Sequence, residues 1–224
     1  MKNIGFIGVG TMGLPMALNL IKNDHALSFY DPFANNKTIE ALIEAGAKQE
    51  KTITDVCKGK DFLISMLPIG ENVKEVALGE DGIINQDNTN LIYIDMSTIL
   101  PADSIEVSKQ LQTKNIQMFD APVARLVNNA IDGTLLIMVG GSLQDFPKVE
   151  EILNCMGSDV VYCGAIGSGS KMKIINNYMA IVSNILTAET LSLVEKSGID
   201  QKLAIELMST TAAGKGHMNF SYPK

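Results

Sequence analysis

The feature that most restricts what this chain can fold into is a Gly-x-Gly-x-x-Gly run, Gly8-Val9-Gly10-Thr11-Met12-Gly13, set between a strand pattern and a helix pattern. Asn3 to Gly8 is a short apolar run, and Leu14 to Lys22 carries apolar residues at helical spacing. In such a unit the first glycine permits the tight turn, the second lets a pyrophosphate approach the backbone, and the third lets helix and strand pack closely. The helix N-terminus offers unpaired N–H groups and the positive end of its dipole to an anion. Gly8, Gly10, Thr11, Met12 and Gly13 are therefore read as a dinucleotide cradle. Eighteen residues past Gly13, Asp31 closes a second strand, Ala26 to Tyr30. A carboxylate there accepts ribose hydroxyls of NAD and repels the 2′-phosphate of NADP, so NAD (NADH) is the expected cofactor, in preference to NADP.

Further strands are expected at Phe62 to Met66, Leu91 to Ile94, Ile116 to Phe119, Leu135 to Val139 and Asp159 to Val161, with helices between them. That alternation predicts the α/β class, a Rossmann-type dinucleotide-binding domain with a mostly parallel sheet over residues 1–164. Pro101 opens a helix after Ser97 and Thr98, Ser142 with Asp145 forms a capping-box pattern, and Gly79 with Gly82 marks a turn. A glycine-rich segment from Gly164 to Gly169 then gives way to a long helix, Ser170 to Lys196, stopped by Gly198; Asp200 caps another helix. Residues 165–224 read as the start of an all-helical substrate and dimerisation domain.

Composition narrows the partners. A net charge of −7 disfavours nucleic acid or an anionic membrane, which demand basic patches. Three cysteines, Cys57, Cys155 and Cys163, are too few for a disulfide framework and lack metal-ligand spacing, so buried thiols in a reducing cytoplasm and no metal are expected. Lys2 and the apolar run after it could pass for a secretory leader, but the regularly placed glycines argue otherwise.

The long helix is apolar nearly all round, through Ile174, Ile175, Met179, Ile181, Val182, Ile185, Leu186, Leu193 and Val194, which predicts burial. One stripe breaks the pattern. At roughly 100° per residue, Lys173, Asn177, Asn184 and Thr187 fall within about 80° of one another, and a polar stripe on such a helix suits the wall of a cleft. Lys171, two residues from Lys173, faces another side.

Four segments resemble the β-hydroxyacid dehydrogenase family, related to 3-hydroxyisobutyrate and 6-phosphogluconate dehydrogenases: Gly5-Phe6-Ile7-Gly8-Val9-Gly10-Thr11-Met12-Gly13, Ser65-Met66-Leu67-Pro68, Asp95-Met96-Ser97-Thr98, and Gly167 through Asn177. The resemblance implies that Lys173 donates a proton to a carbonyl oxygen as hydride arrives from NADH and takes it back in the reverse direction. It implies that Asn177 holds the substrate hydroxyl or the lysine, with Asn176 beside it in the substrate site. It places Leu67 and Pro68 along the cofactor, and Ser97 and Thr98 near the nicotinamide and its ribose, where Ser97 would also contact the substrate. Family members continue through further helices that complete the second domain, so this sequence is expected to supply only its beginning, and self-association as a homo-oligomer is expected of the completed helical domain.

One departure bears on the substrate. Where the family carries small residues after Pro-Val, this chain has Pro122-Val123-Ala124-Arg125-Leu126. A guanidinium there suits a strongly acidic oxyanion, so Arg125 is expected to hold the charged end of a small anionic aldehyde or hydroxy acid. Arg125, together with Gly133-Thr134-Leu135-Leu136, Lys173 to Met179 and Thr211 to His217, resembles the members of the family that act on 3-sulfolactaldehyde, which implies its reduction to 2,3-dihydroxypropane-1-sulfonate. Carboxylate substrates (3-hydroxyisobutyrate, 4-hydroxybutyrate with succinate semialdehyde, or tartronate semialdehyde) are the enzymatic alternative, and a catalytically silent nucleotide-binding structural or regulatory module is the non-enzymatic one. His217, in Gly-Lys-Gly-His, reads as a loop residue, with a substrate contact as the alternative.

Overall fold

The computed structural model describes residues 1–86, 90–211 and 214. It comprises two compact units, Met1–Lys173 and Ile174–Lys224. The first holds strands β1 (Asn3–Ile7), β2 (Ala26–Tyr30), β3 (Lys48–Gln49), β4 (Phe62–Ser65), β5 (Ile92–Asp95), β6 (Gln117–Asp120), β7 (Val123–Ala124), β8 (Leu135–Gly140) and β9 (Gly157–Gly164). Between them run α1 (Gly13–Lys22), α2 (Asn36–Glu44), α3 (Ile53–Cys57), α4 (Gly70–Leu78), α5 (Pro101–Gln112), α6 (Val127–Ile131) and α7 (Phe146–Leu153). Then follow α8 (Ser168–Lys196), which crosses from the first unit into the second, and α9 (Gln201–Ser209).

The strands lie in the order β3-β2-β1-β4-β5-β6-β8-β7, with β9 beside β8. Pairing is parallel from β3 to β6 and between β8 and β9; β8 runs antiparallel to β6 and β7. The chain builds outward from β1 in one direction, then returns and builds from β4 in the other. The crevice above the carboxyl ends of β1 and β4 is thus the topological switch point, where open α/β sheets bind ligands.

Strand alternation divides the core between the two sheet faces. Ile4, Phe6, Phe62 and Ile64 join Met16, Leu20 and Phe29 on one face, while Ile7, Leu63 and Tyr93 join Val56, Val107 and Leu111 on the other. A central parallel strand buried on both faces must be apolar on both, which is why these strands read as continuous apolar runs.

Several local expectations change. Ser142 does not cap a helix: α7 starts at Phe146 with Asp145 as its N-cap residue, and the Ser142 hydroxyl instead donates to Asp145 Oδ2 at 3.1 Å. The two-residue strands β3 and β7 are too short to show periodicity. Only Cys57 of the three thiols is buried. The largest correction concerns α8, whose apolar side chains are exposed, Ile175 at 61% and Met179 at 67%, whereas of the polar stripe Lys173 and Asn177 are half-buried, Thr187 is buried and Asn184 is exposed. Thr187 keeps its burial inexpensive by donating its hydroxyl to Ser183 O at 2.8 Å. No helix among the described residues is long and apolar enough to cross a membrane.

Candidate functional site

The glycine loop leaves β1 with Gly8 at φ +88, in the left-handed region that a side chain disfavours. A Cβ at Gly8 would overlap the Met66 carbonyl, and one at Gly13 would overlap the Gly8 carbonyl. These two glycines are therefore required by the packing of the protein itself. Gly10 is different: a Cβ there would meet nothing within 4 Å. Its smallness serves no internal contact, which is what a backbone approached by a ligand needs. Helix α1 (Gly13–Lys22) begins behind this loop with Met12 at its N-cap and no side-chain cap; Leu14 N–H is taken by Gly10 O at 3.0 Å and Pro15 has none, so what the helix start offers a ligand is mainly the positive end of its dipole.

The loop forms one wall of a cleft of about 590 Å³. Of the residues assigned to the cofactor from the sequence, Gly8, Gly10, Thr11, Asp31, Leu67 and Pro68 line it. Met12, Gly13 and Thr98 do not line it; Gly13 is buried and Met12 packs on the core behind the loop. Asp31 is tied to the cradle, its Oδ2 accepting from Val9 N–H and its Oδ1 from Phe33 N–H, both at 2.9 Å. The cleft also takes in Phe33, Asn72 and Glu75, which the sequence did not single out. Asn72 and Glu75 lie on α4 beside its buried residues Val73 and Val76, and in the sequence they look like any solvated helix face.

Below the cleft, Ser97 departs from its expected role at the substrate. It is 1% exposed, and its hydroxyl accepts from Leu67 N–H at 2.8 Å and donates to Asp95 Oδ1 at 2.6 Å. Ser65 donates to the same oxygen at 2.7 Å, so the Tyr93 hydroxyl, 2.7 Å from Ser65 Oγ, must donate to it. One buried network thus joins the turns that follow β4 and β5. Its centre is costly: Asp95 is fully enclosed, its Oδ2 has no hydrogen-bond partner, and burial pushes its carboxyl up to about 6 despite the serine donors.

At the carboxyl end of β6, Asp120 accepts from Gly167 N–H and Ser170 N–H, each at 2.7 Å, at the start of α8. Lys173 follows on that helix as the last residue of the first unit, half-buried, and burial pulls its ammonium below the ordinary lysine range. Asn176 and Asn177 are half-buried residues of the second unit.

Arg125 does not present the free fork expected of it. It follows β7 at φ +82, and its guanidinium donates to Thr134 O at 2.6 Å, Ser158 Oγ at 2.9 Å and Asp159 Oδ2 at 2.7 Å. The sequence could not show this, because β7 and β9 meet only through β8. His217 lies outside the described residues.

Residues 3–164 match the model of the NAD binding domain of 6-phosphogluconate dehydrogenase, and residues 167–224 that of the NAD-binding region of NADP-dependent 3-hydroxyisobutyrate dehydrogenase. The chain is 40% identical over 223 residues to 3-sulfolactaldehyde reductase of Escherichia coli (strain K12), covering all of this chain and 74% of the relative. It is 41% identical over 209 residues to mitochondrial 3-hydroxyisobutyrate dehydrogenase of Rattus norvegicus, covering 93% of this chain and 62% of the relative. Among solved structures, Mycobacterium tuberculosis 3-hydroxyisobutyrate dehydrogenase with L-serine superposes with a TM-score of 0.87 at 29% identity, over 95% of this chain and 72% of that one. Two family models that together match residues 3–164 and 167–224, and a relative 40% identical over the whole chain, show that the chain belongs to the β-hydroxyacid dehydrogenase family of NAD(P)-binding oxidoreductases.

Proposed function

We propose that this chain carries the cofactor site and proton donor of an NADH-dependent reductase that converts 3-sulfolactaldehyde reversibly to 2,3-dihydroxypropane-1-sulfonate. The observation that carries the reductase reading is Lys173, a half-buried lysine with a depressed pKa on the first turns of α8, the helix that Asp120 ties to the carboxyl edge of the sheet. A lysine whose pKa is drawn toward neutrality exchanges its proton more readily in both directions. When bound, the dinucleotide supplies the hydride. The loop from Gly8 to Gly13 and the start of α1 would receive its pyrophosphate, and Asp31 its adenosine ribose. The Asp31 carboxylate would repel a 2′-phosphate, which supports NAD over NADP. Leu67, held by Ser97, would bound the cofactor at the turn after β4, with Thr98 beyond it. Lys173 would protonate the carbonyl oxygen, with Asn177 and Asn176 orienting the substrate hydroxyl.

The sulfonate reading is supported by 40% identity along the entire chain to the Escherichia coli reductase and by a guanidinium at position 125. For Arg125 to grip the sulfonate it must exchange Asp159 for the substrate, an exchange within reach because the ion pair is exposed. The engaged guanidinium, together with 41% identity to the rat enzyme, favours a second reading, a carboxylate hydroxy acid bound without Arg125. Initial rates of NADH oxidation with aldehydes matched in size and carrying sulfonate, carboxylate or no anion separate the two. A sulfonate preference of about tenfold or more is expected for a charge-assisted contact. A carboxylate preference would replace the first reading by the second, and absence of turnover with every aldehyde would remove both.

A further inference from the structure

Asp120 is 1% exposed and lines no part of the cofactor cleft, yet both of its oxygens are used on one helix start. Oδ1 accepts from Gly167 N–H and Oδ2 from Ser170 N–H, each at 2.7 Å. The surroundings leave no slack. A Cβ on Gly169 would press on the Met138 carbonyl and lie 2.8 Å from the Asp120 carbonyl, and one on Gly140 would overlap the Asp120 carboxylate. From α5, buried Ser104 places its hydroxyl 3.2 Å from that of Ser170. The first turn of α8 is thus seated directly on β6 and β8.

A buried carboxylate is expensive unless its charge is met, and here the two donors are N–H groups at the positive end of a 29-residue helix. Such charge-assisted bonds are about twice as strong as neutral ones. Lys173 stands three residues beyond Ser170, about 4.5 Å along the helix axis. We propose that Asp120 is a positioning residue for the active-site lysine: its carboxylate clamps the first turn of α8 to the carboxyl edge of the sheet and so sets where the Lys173 ammonium stands. The inference rests on the reading of Lys173 as proton donor given above.

The test is Asp120→Asn in the intact protein, which keeps the shape but turns one acceptor into an NH2 facing a backbone N–H. A displacement on the order of 1 Å at a reacting group can cost about 100-fold, so kcat for aldehyde reduction should fall about 10- to 100-fold. The Kd for NADH, read by fluorescence titration, should stay within about twofold, since Asp120 does not border the cleft. Amide exchange at Gly167 and Ser170 should accelerate. Ser104→Ala, which spares the carboxylate, should keep kcat within about twofold of wild type.

Wild-type kcat in the asparagine variant would overturn the clamp, as would loss of NADH binding in step with turnover. Should that variant fail to fold, Gly169→Ala pushes on the same seam from the helix side. A kcat loss with NADH binding intact is expected of it, and unchanged kcat overturns the proposal. Lys173→Ala, run alongside, separates the two levels. Turnover surviving there removes the proton donor itself, whereas a dead lysine variant beside an unimpaired asparagine variant removes only the clamp.

Discussion

Asp31 Oδ2 accepts the Val9 N–H at 2.9 Å, so the carboxylate expected to choose the cofactor also fastens the loop expected to hold it. Its other oxygen, Oδ1, holds Phe33 N–H at the lip of the same cleft. The geometry of the loop and the cofactor choice proposed for Asp31 therefore rest on one side chain.

The first prediction follows from that double duty. NADH should outperform NADPH in kcat/KM, and Asp31→Asn should narrow the gap by removing the repelling charge while still accepting one backbone N–H. Asp31→Ala should also lose stability, by roughly 1–3 kcal/mol, because the buried Val9 N–H is left without an acceptor. Equal kcat/KM for both cofactors in the wild-type protein would remove Asp31 from cofactor choice.

The second concerns Lys173. Lys173→Ala should lower kcat by roughly 10²- to 10⁴-fold, the usual worth of a general acid. NADH binding should barely change. Reduction needs the protonated amine, so its rate should be level at low pH and fall as pH rises through the Lys173 pKa, which burial holds below 10.5. Oxidation needs the neutral amine and should rise over the same interval. A reduction rate that climbs with pH would assign the proton to another group.

The third isolates Arg125. At φ +82 an arginine stores backbone strain of about 1 kcal/mol that glycine does not. Its ion pair to Asp159 is exposed, and such pairs contribute little. Arg125→Gly should therefore leave thermal stability nearly unchanged while costing sulfonate turnover about tenfold and sparing an uncharged aldehyde. Asp159→Asn should do the opposite, freeing the guanidinium and raising sulfonate kcat/KM. If neither change moves the sulfonate rate, Arg125 is a surface residue.

The fourth uses Asp95. Its carboxyl is pushed up to about 6 from 3.8, so the folded state binds its proton more tightly than the unfolded chain does. The sign follows: stability from this group is full below about pH 4 and is lost as pH rises through about 6, at most about 3 kcal/mol for a shift of two units. Asp95→Asn cannot ionise. The stability of wild type minus that of the variant should therefore decline between pH 4 and pH 7 in urea denaturation, and a flat difference would mean that Asp95 is not titrating there.

Much of the Rossmann-type domain was legible because its signals are local. Ala26–Tyr30 matches its expected strand end to end, and Pro101 opens α5 as its pyrrolidine ring dictates. Asp200 caps α9 by accepting Leu203 N–H at 2.8 Å. Gly8 and Gly13 answer to sterics within a few residues or across one strand, and Gly10 to open space. The cofactor-binding class, too, was carried by spacing along the chain, because a strand, a glycine turn and a helix in succession build most of a pyrophosphate site by themselves.

What folding alone decided lies between segments far apart in sequence. The order of strands about the switch point put Leu67 beside Ser97, thirty residues on, and Arg125 against Asp159, thirty-four on. Residue type told that Ser97 could hydrogen-bond and that Arg125 could hold an anion, but not which partner would claim them. A buried polar atom takes the nearest donor or acceptor that the fold supplies, and that neighbour is set by sheet topology. The same holds for Asp120, unremarkable in a strand pattern, whose meaning appeared only when β6 and the first turn of α8 met.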